Sequence, residues 1–435
     1  MWEKAKRFIG ILGPGLVTGA ADDDPSGIAT YSQTGAQFGY NQLWLTPLML
    51  PMMIAIQEVC ARMAIVSGRG IAGIVGEYYS RAALYVVVGL LLIANTINLG
   101  ADLGAMAAAS RLLVPLPSMV LVVFFGLFSI ALEVFVSYHT YARYLRYLSI
   151  SLFAYVLTGF VVTQDWREIL ARTLVPRVEW SSQFLMIVVA VLGTTISPYM
   201  FFWQASQELE EEVERGEWSA PQTRFTRRGP MPKVSAREIR NMRIDTWSGM
   251  IFSQVATWFI IVTAAGSLHA GGITDIATAA DAARALQPLV HTFPHAGQIA
   301  QALFAVGIVG LGLMAVPIFA GSASYALAET FGWREGLFRR PSDAKPFYGV
   351  MAAAILVGIA INLVGINPMK ALVYTAVING VVAVPLIFII LLIGSNRRIM
   401  GEYTSGFWSN LFGWITFLAM AAAAVLMFAT WRRHG

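Results

Sequence analysis

The chain has 435 residues, 57% of them hydrophobic and 13% charged, with a mean hydropathy of +0.63 and a formal net charge of +5. A soluble domain carries about 25% charged residues, so a wholly water-exposed surface is excluded and lipid must cover the excess apolar area. The lone Cys60 excludes a disulfide framework or a cysteine-built metal site within one chain, and the basic balance reads as Lys- and Arg-rich cytoplasmic loops, with no nucleic acid as partner.

Apolar windows of about 20 residues, the length a helix needs to cross some 30 Å of hydrocarbon, recur eleven times. They fall near 9–38, 43–66, 84–112, 117–137, 144–164, 180–208, 244–268, 298–328, 347–365, 369–394 and 407–430. The first is too long and interrupted for a cleavable signal peptide, and no small-residue cleavage pattern follows it. Between the fifth and sixth, DWREILARTLVP has the pattern of a short amphipathic helix on the membrane surface. The charged, Pro-interrupted stretch from Glu208 to Arg243 is expected to be a loop within one domain. With the N-terminus inside, 22 of the 30 Lys and Arg fall on inner segments. The positive-inside rule therefore predicts a cytoplasmic N-terminus and eleven spans an external C-terminus.

The first window holds GLVTGAADDDPSGIATYSQ, Gly15 to Gln33, with Asp22, Asp23 and Asp24 near its middle. A carboxylate at the bilayer centre costs a few kcal/mol even on lenient insertion scales. The backbone is therefore expected to unwind at about Asp22–Gly27 and admit water or cations. Pro25 removes a helical donor and clashes with the preceding turn, while Ser26 and Gly27 add competition and freedom. The alternative is an exterior loop, with the helix starting after Pro25.

The sixth window is interrupted too, in VLGTTISPYMFFWQASQE, where Gly193, Thr194, Thr195, Ser197 and Pro198 fall mid-span. A simple proline kink is the alternative there. Position favours a functional break: spans one and six open two sets of five, and an odd set inverts the second copy. Paired broken helices in inverted repeats mark a transporter site near the midplane, and unwound carbonyls with helix C-terminal ends favour cations there. The predicted architecture is an all-α polytopic membrane protein of about eleven transmembrane helices. It forms one transporter domain over 1–435, with repeats at about 9–164 and 180–394 and an extra helix at 407–430.

LGPGLVTGAADDDPSGIATYSQTGAQFGYNQLW, ARMAIVSGRGIAGIV, LGTTISPYMFFWQAS and FAVGIVGLGLMAVPIFAGSASYALAETFGW resemble the natural resistance-associated macrophage protein (Nramp) family of divalent-metal transporters. The resemblance implies an inverted-repeat fold of the leucine-transporter type, with metal bound by Asp-Pro-Gly-Asn of span one and Met-Pro-His of span six. On that pattern the family aspartate falls on Asp24, the asparagine position holds Gly27, the methionine position Ser197 and the histidine position Tyr199. Asp102 keeps an acid of the family's proton route; Ala105 stands where a second is usual, and the ninth span has Asn362 and no arginine.

Thioether sulfur selects softer transition metals, whereas carboxylate, hydroxyl, carbonyl and water suit Mg²⁺, Ca²⁺ or Mn²⁺. Mg²⁺ dehydrates reluctantly and keeps several waters, which suits an enlarged oxygen site and resembles the magnesium-transporting relatives of the family. Mg²⁺ is ranked first and Mn²⁺ next, as substrate and not cofactor. Asp24 is the leading ligand. Asp22 and Asp23 either complete its shell or cap the break, and Thr194 and Ser197 either offer a carbonyl and a hydroxyl or bond back within their helix. Tyr199 packs or shuttles protons. Asp102 lines the path or pairs structurally, and Asn379 contacts a hydrated ion or packs against a neighbour. Glu58 and Arg62, at helical spacing, read as a salt bridge. None of His139, His269, His291, His295 and His434 falls mid-span, and no nucleophile–base pattern suggests an enzyme.

The expected mechanism is alternating access without obligatory proton cotransport, in a bacterial plasma membrane, with a monomer plausible. Two rivals stand: an organic-solute or amino-acid carrier of the same fold, and a membrane receptor or scaffold docking through Glu208–Arg243.

Overall fold

Two prolines decide where long apolar stretches cease to be single helices. A computed structural model describes residues 12–136, 152–214 and 234–434. In it α1 runs Pro14–Asp22 and α2 Pro25–Phe38. Asp23 leaves helical geometry (φ −86°, ψ 44°), and Asp24, the residue before proline, is extended (φ −63°, ψ 174°), as the clash with the proline ring requires. Pro25 then opens α2 where its missing N–H is no loss. The sixth span repeats this: α9, Ser182–Thr195, and α10, Pro198–Glu214, flank Ile196 and Ser197.

The remaining long helices follow the expected spans, with short helices between them. They are α3 Leu45–Ser67, α4 Ile71–Tyr78, α5 Arg81–Ser110, α6 Ser118–Phe135, α7 Phe153–Val161 and the surface helix α8 Trp166–Leu174. After α10 come α11 Ala236–Ala264, continued as a π-turn to His269, α12 Ala279–Ala283, α13 Ala296–Phe331, α14 Lys345–Ile361, α15 Pro368–Gly394, α16 Arg397–Met400 and α17 Phe407–His434. Among the described residues nine helical stretches are long and apolar enough to cross a bilayer, α9 with α10 counting as one. The α1–α2 pair, each half too short alone, is the broken crossing before them. The first part of the expected fifth span, and His139 before it, lie outside the described residues; α7 falls within the rest of that span.

The segment beginning at Glu208 departs from expectation. It is helical to Glu214, and Glu208, Glu210 and Glu212 are buried. Packing holds them there: Glu208 accepts from Gln204 Nε2 at 2.8 Å, and Glu210 from the Leu337 N–H at 2.6 Å and the Tyr325 hydroxyl. At the far end Ser235 and Glu238 form a capping box that starts α11.

Lipid-facing positions are recognisable by apolar side chains left exposed, among them Phe124, Phe128 and Phe135 of α6, Leu356 and Val357 of α14, and Leu418 and Val425 of α17. One cluster of charges between α3 and α11 is paired. Glu58 accepts from Arg62 Nη1 at 2.9 Å, as the helical spacing predicts, and also from Arg243 Nε at 2.9 Å.

The broken helices are clamped by close backbone packing. A Cβ on Gly19 of α1 would lie 2.2 Å from the Gly249 carbonyl oxygen of α11, and one on Gly193 of α9 would lie 2.1 Å from that of Ala376 in α15. Asp245 of α11 fixes the start of α1: Oδ1 accepts from the N–H groups of Gly13 (2.8 Å) and Leu16 (3.1 Å), and Oδ2 from that of Gly15 (2.6 Å).

Candidate metal site

The breaks place buried carboxylates where α1 ends and α2 begins. Asp22 and Asp23 are 0% exposed, Asp24 1% and Asp102 of α5 0%. Asp24 serves as the N-cap of α2: Oδ1 accepts the Gly27 N–H at 2.6 Å, which occupies an otherwise orphan helix donor. Gly27 is the position where a side chain would intrude, since a Cβ there would sit 2.9 Å from the Asp22 carbonyl oxygen. Oδ2 of Asp24 receives the Tyr199 hydroxyl at 3.3 Å, and the same hydroxyl reaches the Ala21 carbonyl at 3.2 Å. Tyr199 thus packs on Phe319, ring centroids 4.2 Å apart, and also faces the aspartate across the two breaks.

Asp22 and Asp23 turn toward α11. Ser253 Oγ donates to Asp22 Oδ2, and Thr257 Oγ1 donates to Asp23 Oδ1 at 3.4 Å. Oδ1 of Asp22, Oδ2 of Asp23 and both oxygens of Asp102 are buried without a hydrogen-bond partner. Asp102 lies close enough to Asp24 for their charges to interact. Carboxyl groups left this way are costly as anions unless a cation, water or a proton reaches them.

Ser197, in the break, bonds back to the last turn of α9, its hydroxyl 2.6 Å from the carbonyls of both Gly193 and Thr194. Neither that hydroxyl proton nor the Thr194 carbonyl points freely into a site, although Ser197 Oγ keeps acceptor capacity. Asn379 forms a reciprocal amide pair with Asn98 of α5, at 2.8 and 3.2 Å. Asn362 donates to the carbonyls of Gly100 and Gly358. Tyr31 joins the breaks from the other side, its hydroxyl 2.8 Å from Thr195 Oγ1. Among the described residues no three Asp, Glu, His or Cys side chains already converge as a finished metal cluster. The aspartates are brought to one region while their carboxyl groups face different neighbours.

A match to the Nramp family, described as natural resistance-associated macrophage protein-like, spans residues 15–430. The chain belongs to this family. A divalent metal cation transporter, MntH, of Nostoc sp. is 25% identical over 98% of this chain and 92% of its own length. The MntH of Deinococcus radiodurans is 24% identical over 99% and 91%. The solved structure of an Eremococcus coleocola manganese transporter superposes with a TM-score of 0.74 at 18% identity, covering 98% of this chain and 86% of that one. The fold is thus that of the Nramp and leucine-type transporters: all-helical, inverted-repeat and membrane-embedded. The relatives are metal-ion transporters and not enzymes.

Ser253 and Thr257 were not singled out from the sequence. Their only signal is two small hydroxyl residues four apart in an apolar helix, which bonding back to the helix explains equally well. The Tyr31–Thr195 and Asn98–Asn379 pairs leave no local signal, since each joins residues more than 160 positions apart.

Proposed function

We propose that this Nramp protein carries Mg²⁺ or Mn²⁺ inward by alternating access, binding the ion with part of its water shell between the α1–α2 and α9–α10 breaks. The observation that carries the reading is the row of aspartates on a broken helix, buried yet supplied with oxygens that no protein donor satisfies. The C-terminal ends of α1 and α9 add partial negative charge. Both breaks offer oxygen donors and neither contains a methionine, which suits hard cations that keep waters. The MntH relatives are named for divalent cations and the structural neighbour for manganese. An amino-acid substrate is disfavoured because its carboxylate would face three aspartates.

With a cytoplasmic N-terminus and the bilayer negative inside, a divalent ion crossing the full field gains about 4.6 kcal/mol per 100 mV. Ala105 and the arginine-free α14 leave out two groups of the family's proton route, so influx proceeds without obligatory proton cotransport.

Proteoliposome uptake with Mg²⁺, Mn²⁺, Cd²⁺ and Ca²⁺ in competition tests the reading. Asp24→Ala is expected to lower Mg²⁺ and Mn²⁺ uptake at least about tenfold, given the cost of losing a charged ligand. Unchanged uptake refutes the site, and stoichiometric acidification of a trapped pH dye refutes the uncoupled mechanism.

A further inference from the structure

We infer that Ser253 and Thr257 of α11 are selectivity-setting positioning residues, which make Asp22 and Asp23 one-oxygen ligands and so disfavour Ca²⁺ relative to Mg²⁺ and Mn²⁺. The inference rests on the break being the metal site. It concerns residues outside both broken helices.

The geometry is specific. Residues four apart on a helix share a face, and the two hydroxyls of α11 meet two successive carboxylates of the break. Ser253 takes Oδ2 of Asp22 and Thr257 takes Oδ1 of Asp23. In each carboxylate the other oxygen is buried and unpartnered, and all four residues are 0% exposed. Each hydroxyl therefore occupies one oxygen and leaves one free, an arrangement that the backbone alone would not impose on adjacent aspartates.

That division matters because the hard divalent ions differ in how they use a carboxylate. Ca²⁺ takes six to eight oxygens at 2.3–2.6 Å, with carboxylates able to bind through one oxygen or both. Mg²⁺ demands near-octahedral geometry at 2.0–2.1 Å and fills most positions with water, and Mn²⁺ likewise suits octahedral oxygen. A carboxylate with one oxygen accepting a hydroxyl proton serves the octahedral ions through its free oxygen, whereas chelation of Ca²⁺ through both oxygens must share the occupied one with that hydrogen bond and is weakened. With no thioether in either break, softness cannot do the sorting, and ligand count remains.

The test is inhibition of ⁵⁴Mn²⁺ uptake into proteoliposomes by Ca²⁺ and by Mg²⁺, for the parent, Ser253→Ala, Thr257→Val and the double variant. The ratio of the two inhibition constants is expected to shift toward Ca²⁺ by about fivefold for Ser253→Ala, the equilibrium worth of one net hydrogen bond. The shift is smaller for Thr257→Val, whose bond is long. Ser253→Thr and Thr257→Ser, which keep the hydroxyls, hold the parent ratio. A purely structural role changes uptake of all ions in proportion and leaves the ratio fixed, and that result overturns the inference. If Ser253→Ala folds poorly, Thr257→Val against Thr257→Ser decides alone. Asp24→Ala run in parallel separates the failures. Uptake surviving that change removes the site and this inference with it, whereas uptake lost there with an unmoved Ca²⁺ ratio removes only the role of the hydroxyls.

Discussion

If α1 swings from α11 to expose the site, Asp245 is the bond that restrains it. Replacing Asp245 with Ala removes a carboxylate that accepts three N–H groups at the first turn of α1. Hydrogen bonds to a charged group contribute about 1.5–3 kcal/mol net when buried. Only the Gly15 bond is fully buried; those of Gly13 and Leu16 are partly open, so water replaces much of their value. A total near 2 kcal/mol is expected, which shifts a two-state equilibrium about 30-fold toward the released helix. Asp245→Asn keeps one carbonyl oxygen but sets an NH₂ group against a backbone donor, and should fall between Ala and parent. The assay is thiol labelling of Ala21→Cys, a position that is 0% exposed, in a Cys60→Ser background. Labelling should accelerate about 30-fold in Asp245→Ala, in proportion to the open population, with Asn intermediate. Equal rates in all three would show that the glycine contact between α1 and α11 holds the helix without the carboxylate, and the reasoning would fail.

Gly193→Ala would force a Cβ to 2.1 Å from the Ala376 carbonyl oxygen, while Gly89 has nothing within 4 Å. Overpacking costs about 1–3 kcal/mol, so the melting temperature by intrinsic fluorescence should drop by several degrees for Gly193→Ala and not for Gly89→Ala; equal melting would refute the close packing of α9 on α15. In the connection after α13, burial first, and then the carboxylates of Glu329 and Glu210, push Glu335 well above the usual carboxylate range. The folded state therefore holds that proton more tightly than the unfolded chain, and its stabilising effect is full below the unfolded value near 4.3 and fades as pH rises toward the raised one. Glu335→Gln abolishes that fading, so its melting temperature should gain on the parent between pH 5 and pH 8. A difference independent of pH would overturn the assignment.

Much of the architecture could be read from local chemistry. Spans of about 20 apolar residues have few alternatives in lipid, and Asp-Pro and Ser-Pro each disfavour helix at the residue before the ring. Yet Pro51, Pro317 and Pro385 lie inside continuous helices, so proline alone does not mark a break. The row of aspartates distinguished the first one, and the equivalent position in the second repeat distinguished the other. Glu210 looked like part of a solvated loop because its partners, Tyr325 and the Leu337 N–H, lie more than 110 residues away.

Local composition therefore determined that the chain spans a membrane, roughly where each crossing lies, and which segment carries the expensive charges. Only the tertiary structure decided what those charges face. A carboxylate has two oxygens, and nothing along the chain says which is occupied. Asp24 turns to Gly27 and Tyr199, Asp22 and Asp23 to α11, and Ser197 back on the end of α9. Those choices come from helices packed side by side from distant parts of the chain, because hydrogen-bond partners are selected by proximity in space and burial makes each unpaired oxygen costly.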